Sequence, residues 1–353
     1  MAGPAASIHT FCDAAHAENG LTPPRRWGEQ AEAERSGQNM SETTKGMIAM
    51  IAATMIWGLS GLYYKLLAHV PPLEVLAHRT LWSLLFFGGL MLARRRLGEI
   101  ARLARSPRDA ALVAFAAVMI STNWFVFIYS IQVGRAVEAS LGYYIFPLVA
   151  VLLGLLVYRE RLSRVKGLAI GLAAVAVVTL TWGLGVAPWV SLILAFTFGL
   201  YGVVKKGLAA GPIASVTAEV LFLAPLAGVW LYGVHSLGWE GIVGRNLGIF
   251  GHDFETSLLL AFSGVLTGTP LVLFAKASRS LPLGTVGVLQ YINPSLQFAV
   301  AALAFGEIVT RWHWVAFPLI WAALALYSAE TYRQDRAARR LARSASTSST
   351  TVR

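Results

Sequence analysis

The sequence is short of charge: Asp, Glu, Lys and Arg make up 13% of its 353 residues, against about a quarter in an ordinary soluble domain. It has one cysteine, Cys12, which excludes an internal disulfide and any cysteine-based metal centre. No G-x-x-x-x-G-K-[ST] run is present, so nucleotide hydrolysis on a P-loop has no visible machinery, and no cofactor is expected. Residues 1–39 are polar and lack the apolar core of a signal peptide. None of the apolar stretches named below contains an aspartate, which leaves a lipid-acting membrane enzyme without the paired carboxylates it would set near the water boundary.

What fills the chain instead is apolar. Hydrophobic residues make up 56%, aromatics 11%, and the mean hydropathy is +0.61, more apolar surface than a water-facing globule of this length could bury. The expectation is an all-α integral membrane protein with ten spans, at 46–67, 73–93, 110–131, 137–157, 165–182, 188–204, 213–232, 256–275, 283–305 and 312–330. Each is near the roughly 20 residues that carry a helix across about 30 Å of hydrocarbon.

A net charge of +11 would suit a nucleic-acid partner in a soluble protein, so its placement decides the matter. Taking connections alternately, one side holds 24 of the 29 Lys and Arg residues: Arg25, Arg26, Arg35 and Lys45 in the N-terminal tail, six from Arg94 to Arg108, four from Arg159 to Lys166, Lys205 and Lys206, Lys276 and Arg279, and six after Tyr332. The other side holds Arg135, Arg245 and Arg311. By the positive-inside rule both termini are cytoplasmic. Charge here reports topology, and nucleic acid is not expected as a partner. Residues 1–45 and 331–353 read as disordered tails. Met40 opens the run MSETTKG just before the first span, so residues 1–39 also read as the product of an upstream, mis-called start.

A shift of 147 residues brings the chain into register with itself from about 111 to 180. Tyr144-Ile145-Phe146-Pro147 matches Tyr291-Ile292-Asn293-Pro294, a Glu follows each proline at the same distance (Glu160, Glu307), and Arg164 matches Arg311. Gly58, Gly61 and Lys65 align more weakly with Gly199, Gly202 and Lys206. The unit is therefore five helices, 46–182 and 188–330. Because five is odd, the second unit enters from the opposite face, as in the inverted repeats of secondary transporters.

The runs WGLSGLYYKLL from Trp57, HRTLWS from His78, NWFVFIYS from Asn123, EASLGYYIFPL from Glu138 and QYINP from Gln290 resemble RarD-type permeases of the EamA-like group in the drug/metabolite transporter superfamily. The likeness runs from about residue 45 to 332. It implies a ten-helix carrier of the bacterial inner membrane with 5+5 inverted repeats, a small-molecule substrate and no enzymatic step.

Polar and aromatic positions near mid-span are the candidate solute lining: Trp57, Ser60, Asn123, Trp124, Tyr143, Tyr144, Tyr201, Thr269, Gln290, Tyr291 and Asn293. Aromatic walls with a few fixed hydrogen-bonding groups suit an amphipathic or drug-like solute. Ionisable groups inside a membrane are costly and so become candidates for gating or coupling. Lys65, Glu74, His78, Arg79 and Glu138 cluster by sequence near one end of spans 1, 2 and 4, where they suit an ion-paired gate or the capture of a charged solute. Glu219 lies deeper in span 7 with no basic neighbour in that span, as a proton carrier or a satisfied structural carboxylate. Gly167/Gly171 and Gly264/Gly268 are candidate close-packing pairs. The expected partners are a small molecule, the bilayer and protons, in a monomer or homodimer. A lipid-acting enzyme and a non-transporting sensor stay open as alternatives. Reporters fused after residue 70 or 185 are expected to read periplasmic, and those after 105 or 340 cytoplasmic; a cytoplasmic signal at 185 would undo the inverted repeat.

Overall fold

Hydrocarbon offers no water to the backbone, so a spanning chain folds into helices that satisfy their own N–H and C=O groups. The computed structural model describes residues 25–158, 163–185, 187–208, 210–239, 248–281 and 283–350; these are helical apart from short connections and one isolated bridge between Phe250 and Asp253. In chain order the helices are α1 (Arg25–Leu66), α2 (Pro72–Ala93), α3 (Leu97–Arg105), α4 (Pro107–Gln132), α5 (Ala136–Tyr158), α6 (Arg164–Leu184), α7 (Trp189–Gly207), α8 (Pro212–Ser236), α9 (Phe254–Ser280), α10 (Leu283–Gln290), α11 (Ile292–Ala299, continued by a π turn at Val300–Ala304) and α12 (Arg311–Thr350).

Local chemistry sets many of these boundaries. Pro72, Pro107 and Pro212 open α2, α4 and α8, where a missing N–H costs nothing. Ser106, Ser163 and Asp253 cap α4, α6 and α9, accepting from the backbone N–H of Asp109, Lys166 and Thr256. The Thr256 contacts also hold the Asp253 carboxyl below its ordinary range. Gly185 ends α6 in the left-handed region, at φ 70°.

Among the described residues seven helices are long and apolar enough to cross a membrane, within Glu42–Leu66, Pro72–Ala93, Pro107–Gln132, Arg164–Gly183, Pro212–Ser236, Phe254–Ala277 and Arg311–Gln334; three shorter apolar helices lie at Ala136–Val149, Trp189–Lys205 and Ile292–Ala304. Trp182, Phe254, Ile308 and Leu303 are each more than 80% exposed, an arrangement suited to lipid and not to water. The chain is thus an all-α, multi-pass membrane protein. The helix α1 begins within the tail expected to be disordered, and α12 runs on through the C-terminal one to Thr350. Ala, Glu and Arg in those stretches are good helix formers.

Two features depart from the sequence reading. The basic connection after α2 carries a helix of its own, α3, whose Leu103 packs with Val113, Val204 and Ala218. Span 9, expected as one helix over 283–305, breaks at Tyr291. Pro294 has no N–H to return to the Gln290 carbonyl, which frees the backbone at that point.

Packing follows small residues. The helix α2 lies against α8 and α9, α1 against α9 and α11, α4 against α7, α5 against α7 and α11, and α6 against α12. A Cβ on Gly264 would run into the Trp82 backbone, and one on Gly268 into the Phe86 ring, so this pair sets how closely α9 approaches α2, as expected. Gly58 does the same beneath Leu296, and Gly142 beneath the Ser191 carbonyl. Gly171 meets nothing within 4 Å. Gly268→Leu is therefore expected to cost about 1–3 kcal/mol and to lower Tm in detergent, while Gly171→Leu stays within about 0.5 kcal/mol; equal shifts in the two variants would refute the close contact.

Candidate functional site

About two turns into α2, Arg79 is 7% exposed. Its guanidinium lies over the Trp124 ring of α4, 4.0 Å from the centroid, and its Nη1 donates to the Tyr64 hydroxyl of α1 at 2.7 Å. The Tyr64 ring stands edge-on to Phe127 and Tyr63. Among the described residues no carboxylate lies within 4 Å of Arg79, and its buried Nε has no partner.

Glu219, about two turns into α8, is 1% exposed. Lys205, in the last turn of α7, turns inward to pair with its Oε1 and also donates to the Ser215 hydroxyl. Ser215 donates to Oε1 at 2.9 Å, and Tyr201, one turn before Lys205, donates to Oε2 at 3.0 Å. Two hydroxyls and an ammonium solvate the carboxylate in place of water.

Between these two ionic points runs an aromatic wall. Tyr143 stands edge-on to Phe198 at 6.0 Å, Phe198 stacks on Tyr201 at 6.0 Å, and Trp124 packs with Val220, Phe198 and Tyr201. Asn123 buttresses it: the amide donates to the Leu194 carbonyl at 2.9 Å and the Thr197 hydroxyl at 3.0 Å, and its oxygen accepts from the Tyr143 hydroxyl at 2.9 Å. With both amide protons engaged, Asn123 ties α4 to α7 and α5.

The other sequence candidates fall elsewhere. Tyr144 and Tyr291 line a separate open cavity of 420 Å³ with Ser295, Trp321 and Ser328, bridged by a Tyr144–Ser295 hydroxyl contact of 2.7 Å. Gln290 and Asn293 flank the α10–α11 break, and the Asn293 oxygen accepts from Gln297 at 3.0 Å. Trp57 packs on Phe274, Ser60 returns its proton to the Trp57 carbonyl, and Thr269 is half-buried on α9.

The charged group expected at one end of spans 1, 2 and 4 does not assemble into a single cluster. The Glu74 carboxylate accepts from the backbone N–H groups of Gly248 and Ile249 at 3.3 and 3.2 Å, and His78 stacks on Phe250 at 4.5 Å, so both pin the segment before α9. Lys65 is exposed and lies over the Phe305 ring, and Glu138 lies 3.8 Å from Arg135. The nearby Glu307 accepts from the first N–H groups of α5, at Ala136 and Val137, 2.7 and 2.8 Å away. Glu160 lies outside the described residues. Among the described residues no group of His, Cys, Asp or Glu is placed to hold a metal ion.

Tyr64 and Lys205 were missed as sequence candidates, yet a signal existed. At an offset of 141 Tyr64 aligns with Lys205, and at 140 Arg79 aligns with Glu219, so the expected repeat would have paired the two contacts.

With this geometry in view, the model of the EamA-like transporter family matches residues 44–182. Protein RarD of Streptomyces exfoliatus is 42% identical over 301 residues, covering 85% of this chain and 93% of that protein. The uncharacterized transporter YojE of Bacillus subtilis (strain 168) is 37% identical over 303 residues, covering 85% and 98%. A solved crystal structure aligns over 80% of this chain and 96% of its own, with a TM-score of 0.52 at 19% identity, a likeness of fold.

Removing one partner of the Lys205–Glu219 pair strands a charge in the bundle. Lys205→Met or Glu219→Leu alone is expected to destabilise by about 3–5 kcal/mol, and the double variant to recover most of that loss. Thermal melts in detergent read this directly; additive losses would mean the pair is not coupled.

Proposed function

The chain belongs to the EamA-like transporter family, in its RarD branch, and from that membership we propose that it is a secondary transporter moving a small amphipathic organic solute across the bacterial inner membrane by alternating access. The observation that carries this reading is the packing pattern. Under a 5+5 repeat, α1, α2, α4, α5 and α6 correspond to α7, α8, α9, α10–α11 and α12. The contact α1–α9 then has its counterpart in α7–α4, α1–α11 in α7–α5, and α2–α9 in α8–α4, while α2–α8, α5–α11 and α6–α12 map onto themselves. Such reciprocity is what a two-fold axis in the membrane plane requires. The seven long spans and three shorter apolar helices make up the ten crossings, with both termini cytoplasmic.

The aromatic wall from Trp124 to Tyr201 is the proposed solute path, and the broken helix at Tyr291 is a second point where backbone groups face a cavity. Solute passes when the halves rock about α2–α8, and the Glu307–α5 and Glu74–Gly248 links break at one end as it opens. Glu219 is the proposed proton-coupling residue, since protonation would release Lys205. Neither a lipid-acting enzyme nor a sensor is favoured, because relatives bear the name of transporter.

Purified protein in liposomes is expected to release preloaded amphipathic metabolites, with flux that varies with pH. Glu219→Gln, normalised to the protein inserted, is expected to flatten that pH profile while leaving solute binding within about twofold. Folded protein that moves no solute in a broad panel would overturn the transport reading, and an unchanged pH profile would remove Glu219 from coupling.

A further inference from the structure

Among the described residues, the first half of the molecule holds a buried cation with no anion to match it. Both buried carboxylates described are engaged elsewhere, Glu74 with Gly248 and Ile249 and Glu219 with Lys205, and the half-buried Glu138 lies beside Arg135. Arg79 has only a tyrosine hydroxyl and aromatic faces. A charge held at this depth without a counter-ion is costly and marks a functional position.

Three observations say what is missing. Arg79 uses Nη1 for Tyr64, so the edge formed by Nε and Nη2 has no partner among the described residues; that edge grips a carboxylate through two parallel N–H···O bonds. The related positions in the other half, Lys205 and Glu219, form a complete ion pair, whereas the first half has Tyr64 and Arg79, a cation with no carboxylate beside it among the described residues. The guanidinium rests on Trp124, which continues into the wall of Tyr143, Phe198 and Tyr201, a surface for a planar body.

Resting on the transporter reading, we propose that Arg79 anchors a carboxylate of the transported solute, and that the solute is a monocarboxylate with an aromatic body laid along Trp124. One fork, and among the described residues one buried cation without a counter-ion, match one negative charge. A doubly charged phosphate would need a second cation, and the nearest candidate on the wall, Lys205, is neutralised by Glu219.

The test uses the purified full chain in detergent with 3-phenylpropionate, its neutral amide 3-phenylpropanamide, and inorganic phosphate, read by tryptophan fluorescence and by Tm. Wild type is expected to bind the acid at least about tenfold more tightly than the amide, and phosphate is expected not to displace the acid at equal concentration. Arg79→Gln should bind acid and amide alike, and Arg79→Lys, with a point charge in place of the fork, should keep part of the preference. The proposal is overturned if wild type binds acid and amide within about twofold, binds neither, or yields the acid to equimolar phosphate, or if Arg79→Gln keeps the preference. Should Arg79→Gln not fold, the wild-type ratio and the Arg79→Lys variant still decide. Flux of the same probes in liposomes separates the two readings: acid-selective binding without flux of any solute would sink transport and leave the anion site, while flux of the amide equal to that of the acid would sink the anion site and leave transport.

Discussion

Inside hydrocarbon a polar atom has no water to fall back on, so the protein must match most of its own buried polar groups, and those left over, such as Ser83 Oγ, Trp230 Nε1 and the charged Arg79 Nε, are few among the described residues. Asn123 satisfies the α7 carbonyl at Leu194, Gln132 donates to the carbonyls of Leu67 and Val70, and Glu307 receives the first N–H groups of α5. These bonds join segments far apart in sequence. The demand for satisfied polar groups therefore also fixes which helices touch, and the glycines at 58, 142, 264 and 268 let the backbones come close enough for the bonds to form.

The two ends of the bundle are held differently. At the end bearing the α1–α2 loop, three buried or half-buried side chains, those of Gln132, Glu74 and Glu307, clamp backbone groups of neighbouring segments. At the opposite end the described links include the Lys205–Ser215–Glu219 group and an exposed Lys166–Gln334 contact of 2.8 Å. Side-chain-to-backbone bonds of the first kind are directional, so any opening of that end would break several at once. Bonds made by long flexible lysines yield more gradually.

Much of this was legible in the sequence because hydrophobic length and repeated glycine spacing are one-dimensional signals. Spans 2 to 8 fell within a few residues of single helices, while α1 and α12 run well past the first and last spans and span 9 is broken; Gly264/Gly268 named a true contact. What stayed hidden depends on where a side chain turns. Lys205 was counted with the basic connection because it sits in the last turn of α7, yet its long stem carries the ammonium inward to Glu219. Lys65, Glu74, His78, Arg79 and Glu138 look like one cluster along the chain, but Glu74 and His78 come together, 4.0 Å apart beside Gly248 and Phe250, while Lys65, Arg79 and Glu138 find Phe305, Trp124 and Arg135. Pro294 marks an interruption of span 9, and the helix breaks three residues before it, at Tyr291.

Under the proposed repeat the related positions carry opposite charge logic, and this asymmetry would matter for a carrier that rocks between two faces. If both halves held complete ion pairs, no site in the interior would want a solute's charge; if both were open, two buried charges would weigh on the fold at once. One closed pair and one open cation lie along the same aromatic wall, so the proposed solute carboxylate would complete the open half. Protonating Glu219 would free Lys205 on that wall, giving the carboxylate a second cation to move toward. Proton binding and solute movement would then be linked through a shared set of charges, without any direct contact between Arg79 and Glu219.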